Sequence, residues 1–361
     1  METETIGNYK WEYQIYGDGA VITGISPKPA GHVNIPPFLG GKPVTDIAQK
    51  VFEGCRYLTH VTIPEGVASI GNGTFAHSGL EGALIPDSVT SIGDYAFYGC
   101  RNLMSVSLSD SVAHIGKAAF KDCRSLKSLI IPNRVATIED DTFSGCSGLT
   151  SVTIPQSLTR IEIDAFRGCR CLTDFIVASD NSKYKTVAGL LLSKDGTTIV
   201  KASCGLVNVT IPDGVKCIGY GAFANCHELT HVTIPCSVTN IEDRAFQDCS
   251  ALTNMVIPCS VVNIGHWVFH GCSNIGFTVD ADNPKYKSEA GLLLSKEGDV
   301  LVRVPSNLTC VTIPNGVMII KEGALSGCRC LTSVAIPSSV TSIEGFAFSG
   351  CSGLTSIDIP V

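Results

Sequence analysis

The chain has 361 residues, 44% of them apolar and only 16% charged, with a formal net charge of −7. A disordered, charge-rich protein is excluded by that balance. With no Lys/Arg cluster anywhere, the sequence also lacks the cationic surface that phosphate backbones and anionic membranes require, so no nucleic-acid partner is expected. The longest apolar runs, such as Ala188-Gly189-Leu190-Leu191-Leu192, fall far short of the roughly 18 residues that cross a bilayer, and no membrane insertion is expected. The opening residues Met1-Glu2-Thr3-Glu4-Thr5 have neither a basic nor an apolar leader region, which suits a cytosolic protein or one whose signal peptide has been removed.

A repeat organises everything after the first few dozen residues. Ile-Pro or a near equivalent recurs at Ile63, Ile85, Leu108, Ile131 and Ile154, then at Ile211, Ile234 and Ile257, then at Ile313, Ile336 and Ile359. The steps are 22, 23, 23 and 23, then 57, 23 and 23, then 56, 23 and 23. A Phe keeps the same period from Phe52 to Phe348, with Leu325 substituting once, and a Cys follows three residues behind most of them. Such a period defines a solenoid.

Taken in chain order, the first element is a β-hairpin: Tyr9 to Tyr16, a Gly17-Asp18-Gly19 turn, and Ala20 to Ile25. Residues 1–27 are expected to cap the first coil, leaving 28–361 to the solenoid. Within a coil such as Leu149-Thr150-Ser151-Val152-Thr153-Ile154-Pro155, apolar and hydroxylated residues alternate with the period of a half-buried strand, which Pro155 ends. Leu158 and Ile161 then turn inward, and Ala165-Phe166 with Gly168-Cys169 read as a short helical or 3₁₀ turn carrying a buried aromatic. One coil offers too little for a private core. Stacking at about 4.8 Å converts Val152, Ile154, Ile161, Phe166, Cys169 and their counterparts into columns, expected to form one uninterrupted core.

Two inserts, near 178–205 and 280–307, account for the long steps and resemble each other. Asn181-Ser182-Lys183-Tyr184-Lys185 and Gly189-Leu190-Leu191-Leu192-Ser193-Lys194 match Asn283-Pro284-Lys285-Tyr286-Lys287 and Gly291-Leu292-Leu293-Leu294-Ser295-Lys296. An apolar run, a Lys-acid-Gly turn and a second run make each a hairpin that replaces the convex half of one coil. The chain stops on a strand signature at Ile359-Pro360-Val361, which reads as an incomplete solenoid end.

The pattern Leu331-Thr332-Ser333-Val334 through Gly350-Cys351, with the Tyr-Lys and Gly-Leu-Leu-Leu-Ser-Lys inserts and Gly41-Lys42-Pro43-Val44-Thr45, resembles the BspA-like leucine-rich repeat family. The resemblance spans nearly the whole chain. It implies a leucine-rich repeat solenoid, a horseshoe or arc that is mainly β. It also implies a secreted or surface-attached protein of host-associated microbes, some of whose members adhere to host proteins.

Chemical motifs are few. His227-Glu228-Leu229-Thr230-His231 spells a zinc-protease signature, but that chemistry needs both His on one helical face. Here Leu229 holds the core Leu position and His231 starts a strand, so the match is a coincidence. His266 and His270, four apart, lack a third ligand. No catalytic, cofactor-binding or metal-binding residue is assigned, and no cofactor is expected. The ten in-phase Cys are read as small apolar fillers with free thiols. Cys236 and Cys259, each one residue past a Pro, are the best-placed pair for a disulfide.

There remains the outward face of the strands. One column reads His60, Gly82, Ser105, Ser128, Ser151, Asp174, Asn208, His231 and Asn254, and its neighbour Thr62, Leu84, Ser107, Ile130, Thr153, Ile176, Thr210, Thr233 and Val256. Small and hydroxylated residues dominate and no aromatic appears, which suits a broad protein surface better than a sugar. Between the inserts, Asn208, Thr210, His231, Thr233, Asn254 and Val256 depart most from plain Ser/Thr and form the candidate partner-binding patch, walled by the two hairpins. Amide and imidazole groups specify a partner better than freely rotating hydroxyls. The reading is a non-catalytic protein-binding module for an unidentified protein ligand, such as a host extracellular protein. The alternatives are a structural spacer and a metal-dependent enzyme.

Overall fold

The computed structural model describes residues 1–359, so the reading of the chain end falls partly on Pro360 and Val361, outside the described residues. The chain divides into two compact units, Met1–Thr186 and Val187–Val361. Among the described residues both are built from strands and turns, without a helix.

In the first unit each coil has three sides. One side is a parallel ladder of longer strands: Gly31–Asn34, Leu58–Thr62, Gly82–Leu84 and Ser105–Ser107, then Ser128–Ile130, Ser151–Ile154 and Asp174–Val177. Register is fixed by the 23-residue step, which sets Ser151 beside Ser128 and Asp174, and buried Val152 between Leu129 and Phe175. A one-residue slip would turn the buried column to solvent. The second side is a ladder of two-residue strands, Ser69–Ile70, Ser91–Ile92 and His114–Ile115, each placing one Ile in the core. The expected N-terminal hairpin forms from Tyr9–Tyr16 and Gly19–Ser26, with a third antiparallel strand, Glu2–Ile6, ahead of it. Its last strand joins Lys42–Ile47, the first member of the short-strand ladder.

The third side corrects the expected helical or 3₁₀ turns. It is a run of β-turns whose amides alternate in direction. Ala96, Tyr98 and Cys100 donate locally to Gly93, Tyr95 and Phe97, whereas Tyr95, Phe97 and Gly99 donate to Lys117, Ala119 and Lys121 of the next coil at 2.7–2.9 Å. A helix would spend every amide within its own coil. Here half of them zip neighbouring coils together, and Tyr95, Ala118 and Asp141 accept φ values of 54–59° to keep the turn running.

Inside this side the Phe rings stack. Phe52, Phe75, Phe97, Phe120, Phe143 and Phe166 follow one another at 5.1–5.8 Å between centroids, their planes nearly parallel. The stack ends edge-on at both ends, against Trp11 at 6.3 Å and Phe175 at 5.4 Å. The following Cys is more than a filler. Cys123, Cys146 and Cys169 donate Sγ–H at 3.1–3.2 Å to the carbonyls of Phe97, Phe120 and Phe143, one coil back, satisfying an acceptor buried in the core.

The second unit repeats the plan twice. The hairpin Leu190–Ser193 and Thr198–Ala202 feeds the short strands Cys217–Ile218, Asn240–Ile241 and Asn263–Ile264. The meander Tyr286–Glu289, Leu292–Ser295 and Val300–Arg303 feeds Ile319–Ile320 and Ser342–Ile343. Its core is not the uninterrupted column expected, because the buried apolar residues form two clusters, one led by Leu190 to Phe277 and one by Leu292 to Ala347. The break has a cause. Phe223, Phe246 and Phe269 stack at 4.9 and 6.0 Å, then meet Phe277 edge-on at 5.0 Å, and a polar layer follows.

That layer contains two devices, each also present at the other insert. Asn283 is fully buried and makes four hydrogen bonds: Nδ2 donates to Pro258 O and Val261 O at 2.7 and 2.9 Å, and Oδ1 accepts from Lys285 and Tyr286 at 2.8 Å. In the first unit Asn181 makes the equivalent four, to Pro155, Leu158, Lys183 and Tyr184. The second device is a buried cation. Arg303 donates to Gly323 O, Ser326 O and Ser306 Oγ at 2.7–3.1 Å, and Lys201 donates to Gly221 O at 3.2 Å. An ordinary coil caps the next coil's carbonyls with turn amides. The insert has no such turn, so the long side chain and one amide (Val304 to Ala324, Ala202 to Ala222) take over. Burial pushes the Arg303 guanidinium below its usual range, partly offset by neighbouring thiols including Cys328 and Cys272.

Candidate functional site

Asn208–Thr210 and His231–Thr233 pair in parallel, with Asn208 opposite His231 and Thr210 opposite Thr233; Asn254–Ile257 belongs to the same face. Asn208, Thr210, His231, Thr233, Asn254 and Val256 are all exposed, alternating with buried Val209, Val232 and Met255. Alternation of the pleat therefore points all six to solvent from a rigid base. Thr230 Oγ1 ties the row together, donating to Asn208 Oδ1 at 3.1 Å and lying 3.0 Å from His231 Nδ1. The walls expected from the inserts are not on this face. Thr198–Ala202 and Val300–Arg303 pair with Cys217–Ile218 and Ile319–Ile320, so both hairpins extend the short-strand ladder instead.

Two features of the strand face go beyond the Ser/Thr in its columns. Leu84, Ile130 and Ile176 are 68%, 71% and 51% exposed, and Val256 is 49% exposed. In the first unit the register alternates them with hydroxyls: Leu84 beside Ser107, and Ile130 beside Thr153 beside Ile176. At the N-terminal end of the same ladder lies a groove of about 540 Å³ lined by His32, His60, Thr62, Gly82, Leu84 and Ser105. The imidazoles of His32 and His60 meet edge-on at 6.1 Å, and His32 Nε2 lies 2.8 Å from Thr62 Oγ1. The apolar residues and His60 already belong to the two columns, whereas His32, on the strand before Leu58–Thr62, does not; only accessibility sets them apart.

The motifs weighed for chemistry are dispersed. His227 sits on a turn with Nδ1 3.4 Å from Ser250 Oγ, Leu229 is buried, and His231 lies on a strand, so the zinc-protease spacing does not become a shared helical face. His266 pairs with Glu322 at 3.1 Å. His270 contacts Ser326 Oγ at 2.9 Å and the edge of Trp267, and burial pushes its imidazole below the usual range. No group of three or more potential ligands that could hold a metal occurs among the described residues, nor is any helix of theirs long and apolar enough to cross a membrane. All 17 cysteines are free thiols, Cys236 and Cys259 included, although those two are close enough to hydrogen-bond.

A stacked ladder of strands and β-turns with Leu, Phe and Cys columns defines a leucine-rich repeat solenoid. The family model of the BspA type leucine-rich repeat region matches residues 34–83, 69–188, 201–283 and 304–361, and the chain belongs to that family. Among solved structures, a leucine-rich cell surface protein of Faecalibacterium prausnitzii is 28% identical, covering 99% of this chain and 94% of that one, with a TM-score of 0.60. A leucine-rich repeat protein of Eubacterium ventriosum (22% identity, 99% and 91% coverage, TM-score 0.61) and the pneumococcal vaccine antigen PcpA (17%, 100% and 99%, 0.56) share the fold. No curated protein matches the chain.

Proposed function

We propose that this chain is a non-catalytic protein-binding module acting outside the cell, with the strand face as its docking surface and an extracellular protein as its ligand. The observation that carries the reading is the set of large apolar side chains standing in solvent on a rigid ladder. In the first unit Leu84, Ile130 and Ile176 alternate with Ser107 and Thr153, and in the second Val256 is exposed on its own strand ladder. Solvent-facing strand positions have no need of such residues, and a partner that covers them gains about 25 cal/mol per Å² of apolar area. Around them the polar groups are mostly hydroxyls, amides and imidazoles, with Asp174 the acid beside Ser151, which disfavours a polyanion. On the second unit's strand face, Asn208, Thr210, His231, Thr233, Asn254 and Val256 supply the most specific recognition chemistry. The description of the Faecalibacterium relative as a cell surface protein supports the extracellular setting.

The test begins with capture of host extracellular proteins on immobilised chain. A captured protein is then titrated against Thr233→Glu, Ile130→Glu and, on the turn side, Arg244→Glu. A buried carboxylate at either strand position is expected to weaken binding at least about tenfold, with Arg244→Glu unchanged. Equal binding by all three variants moves the site off this face.

A further inference from the structure

The 22-residue step of the first unit leaves a mark on its turn side. Where other coils read Gly54-Cys55-Arg56-Tyr57-Leu58 or Gly99-Cys100-Arg101-Asn102-Leu103, the coil between them reads His77-Ser78-Gly79-Leu80, one residue short at the corner. The shortened corner is drawn in against the preceding coil: Gly79 N–H donates to Cys55 O at 3.1 Å, and a Cβ at 79 would collide with Arg56 O. The two full-length corners stand proud on either side. Between them opens a notch of about 540 Å³ lined by Arg56, His77, Ser78, Arg101 and Asn102, with Gly79 and Gly99 as its floor.

The lining is unusual for this acidic chain. Neither Arg56 nor Arg101 forms an ion pair among the described residues, whereas the next corner arginine, Arg124, is paired with Asp122 at 3.4 Å. No carboxylate lines the notch. The His77 imidazole is held in place by the edge of Tyr98 at 4.7 Å and lies over Gly99, where any Cβ would strike its Nδ1. Two free guanidiniums, an imidazole and the Asn102 amide thus converge on a space of the size that holds small molecules. Guanidiniums favour oxyanions through paired hydrogen bonds, and an amide and an imidazole each match a hydroxyl. An apolar ligand would find no partner there.

We infer that the notch between Arg56 and Arg101 is a binding site for a small hydroxylated oxyanion, the chemistry of sugar acids and sugar sulfates. It lies on the turn side and is independent of the strand-face reading. The test is calorimetric titration of the full chain with glucuronate and with glucose 6-sulfate, beside glucose and inorganic sulfate. The charged sugars are expected to bind at least about tenfold tighter than either reference, and more weakly as salt is raised. The double variant Arg56→Gln/Arg101→Gln should lose about a hundredfold, near tenfold per guanidinium. Inserting one Ser after Ser78, which restores the 23-residue coil and fills the notch, should abolish binding; the Gln pair decides the matter if that insertion misfolds. The inference is overturned if glucose or bare sulfate binds as tightly as the charged sugars, if no charged sugar binds, or if the double variant retains wild-type affinity.

Discussion

Replacing Asn283 by Ala removes a fully buried amide with all four hydrogen-bonding positions in use. Pro258 O keeps a second donor, the Val261 amide at 3.2 Å, so three backbone groups lose a partner: Val261 O and the amides of Lys285 and Tyr286. At about 1–3 kcal/mol for each buried unsatisfied group, and allowing water to reach some of them, the loss is about 3–4 kcal/mol. The chain has two tryptophans, Trp11 and Trp267, one in each unit, so a Trp11→Phe background leaves Trp267 reporting on the second. In urea, with a slope of about 2–3 kcal/mol/M, the midpoint of that transition should fall by about 1–2 M, while exposed Asn315→Ala should leave it unchanged. Asn283→Asp adds a sign. It presents an oxygen to Pro258 O and Val261 O where a donor stood, so the native carboxyl keeps its proton while the unfolded chain releases it. The variant's deficit should therefore grow as pH rises from about 4. An Asn283→Ala shift no larger than that of Asn315→Ala, or an Asp variant indifferent to pH, would refute the capping role.

The Phe stack gives a second expectation: Phe120→Ala, between Phe97 at 5.1 Å and Phe143 at 5.8 Å, should cost about 3–5 kcal/mol by leaving a cavity, read as a lowered urea midpoint of the first unit. Burial pushes the thiols of Cys100 and Cys146 up to about 11 and about 12, and that of Cys123 well above the usual range. In the native protein a thiol reagent should therefore label exposed Cys171, Cys236, Cys310 and Cys330 and spare these three until the chain is denatured. Because the native thiols hold their protons while the unfolded ones ionise, stability from these residues is complete below about pH 8.5 and declines as pH rises towards 12; alkaline melts should show that fall, and a flat profile would contradict it. Arg303→Met should lower the stability of the second unit by about 1–3 kcal/mol, since Ser326 O loses its donor while Gly323 O keeps the Ser326 amide at 2.9 Å, with Arg303→Lys restoring part of it.

What repeats in this chain was legible, and what occurs once or twice was not. Ten phased Phe and Cys positions give the coil, its inward columns and its strand register. The β-turns on the third side were misread as helical because Ala165-Phe166 with a following Gly-Cys has the composition of either, and only the inter-coil direction of alternate amides separates them. Asn181 and Asn283 were visible as a shared motif, yet their function is set by carbonyls two dozen residues earlier in the chain, at Pro155 and Pro258. Lys201 and Arg303 close the second apolar run of each hairpin, and nothing in the sequence marks them as buried. Their burial follows from a missing turn, which no local pattern displays. The candidate patch of Asn208 to Val256 rests on exposure that the two-residue alternation predicts, whereas the supposed hairpin walls required knowing which ladder the inserts join.

A solenoid of this kind separates stability from recognition more cleanly than a globular core does. Inward residues are held by stacking with the same residue one coil away, as in the Phe97, Phe120 and Phe143 rings, so any single coil is constrained by its neighbours. Outward residues answer to no such partner, and Leu84, Ile130 and Ile176 can stand in solvent without disturbing the register beneath them. The same reasoning applies to length. A lost residue in a globular core displaces everything that follows, but here the missing residue beside Gly79 is absorbed within one corner: the Leu80 side chain still reaches the buried column and the next coil resumes its phase at Phe97. The deletion costs the core nothing and opens a notch between two unpaired arginines. Departures from the period are therefore the positions at which this architecture gains new surface chemistry at least expense to its fold.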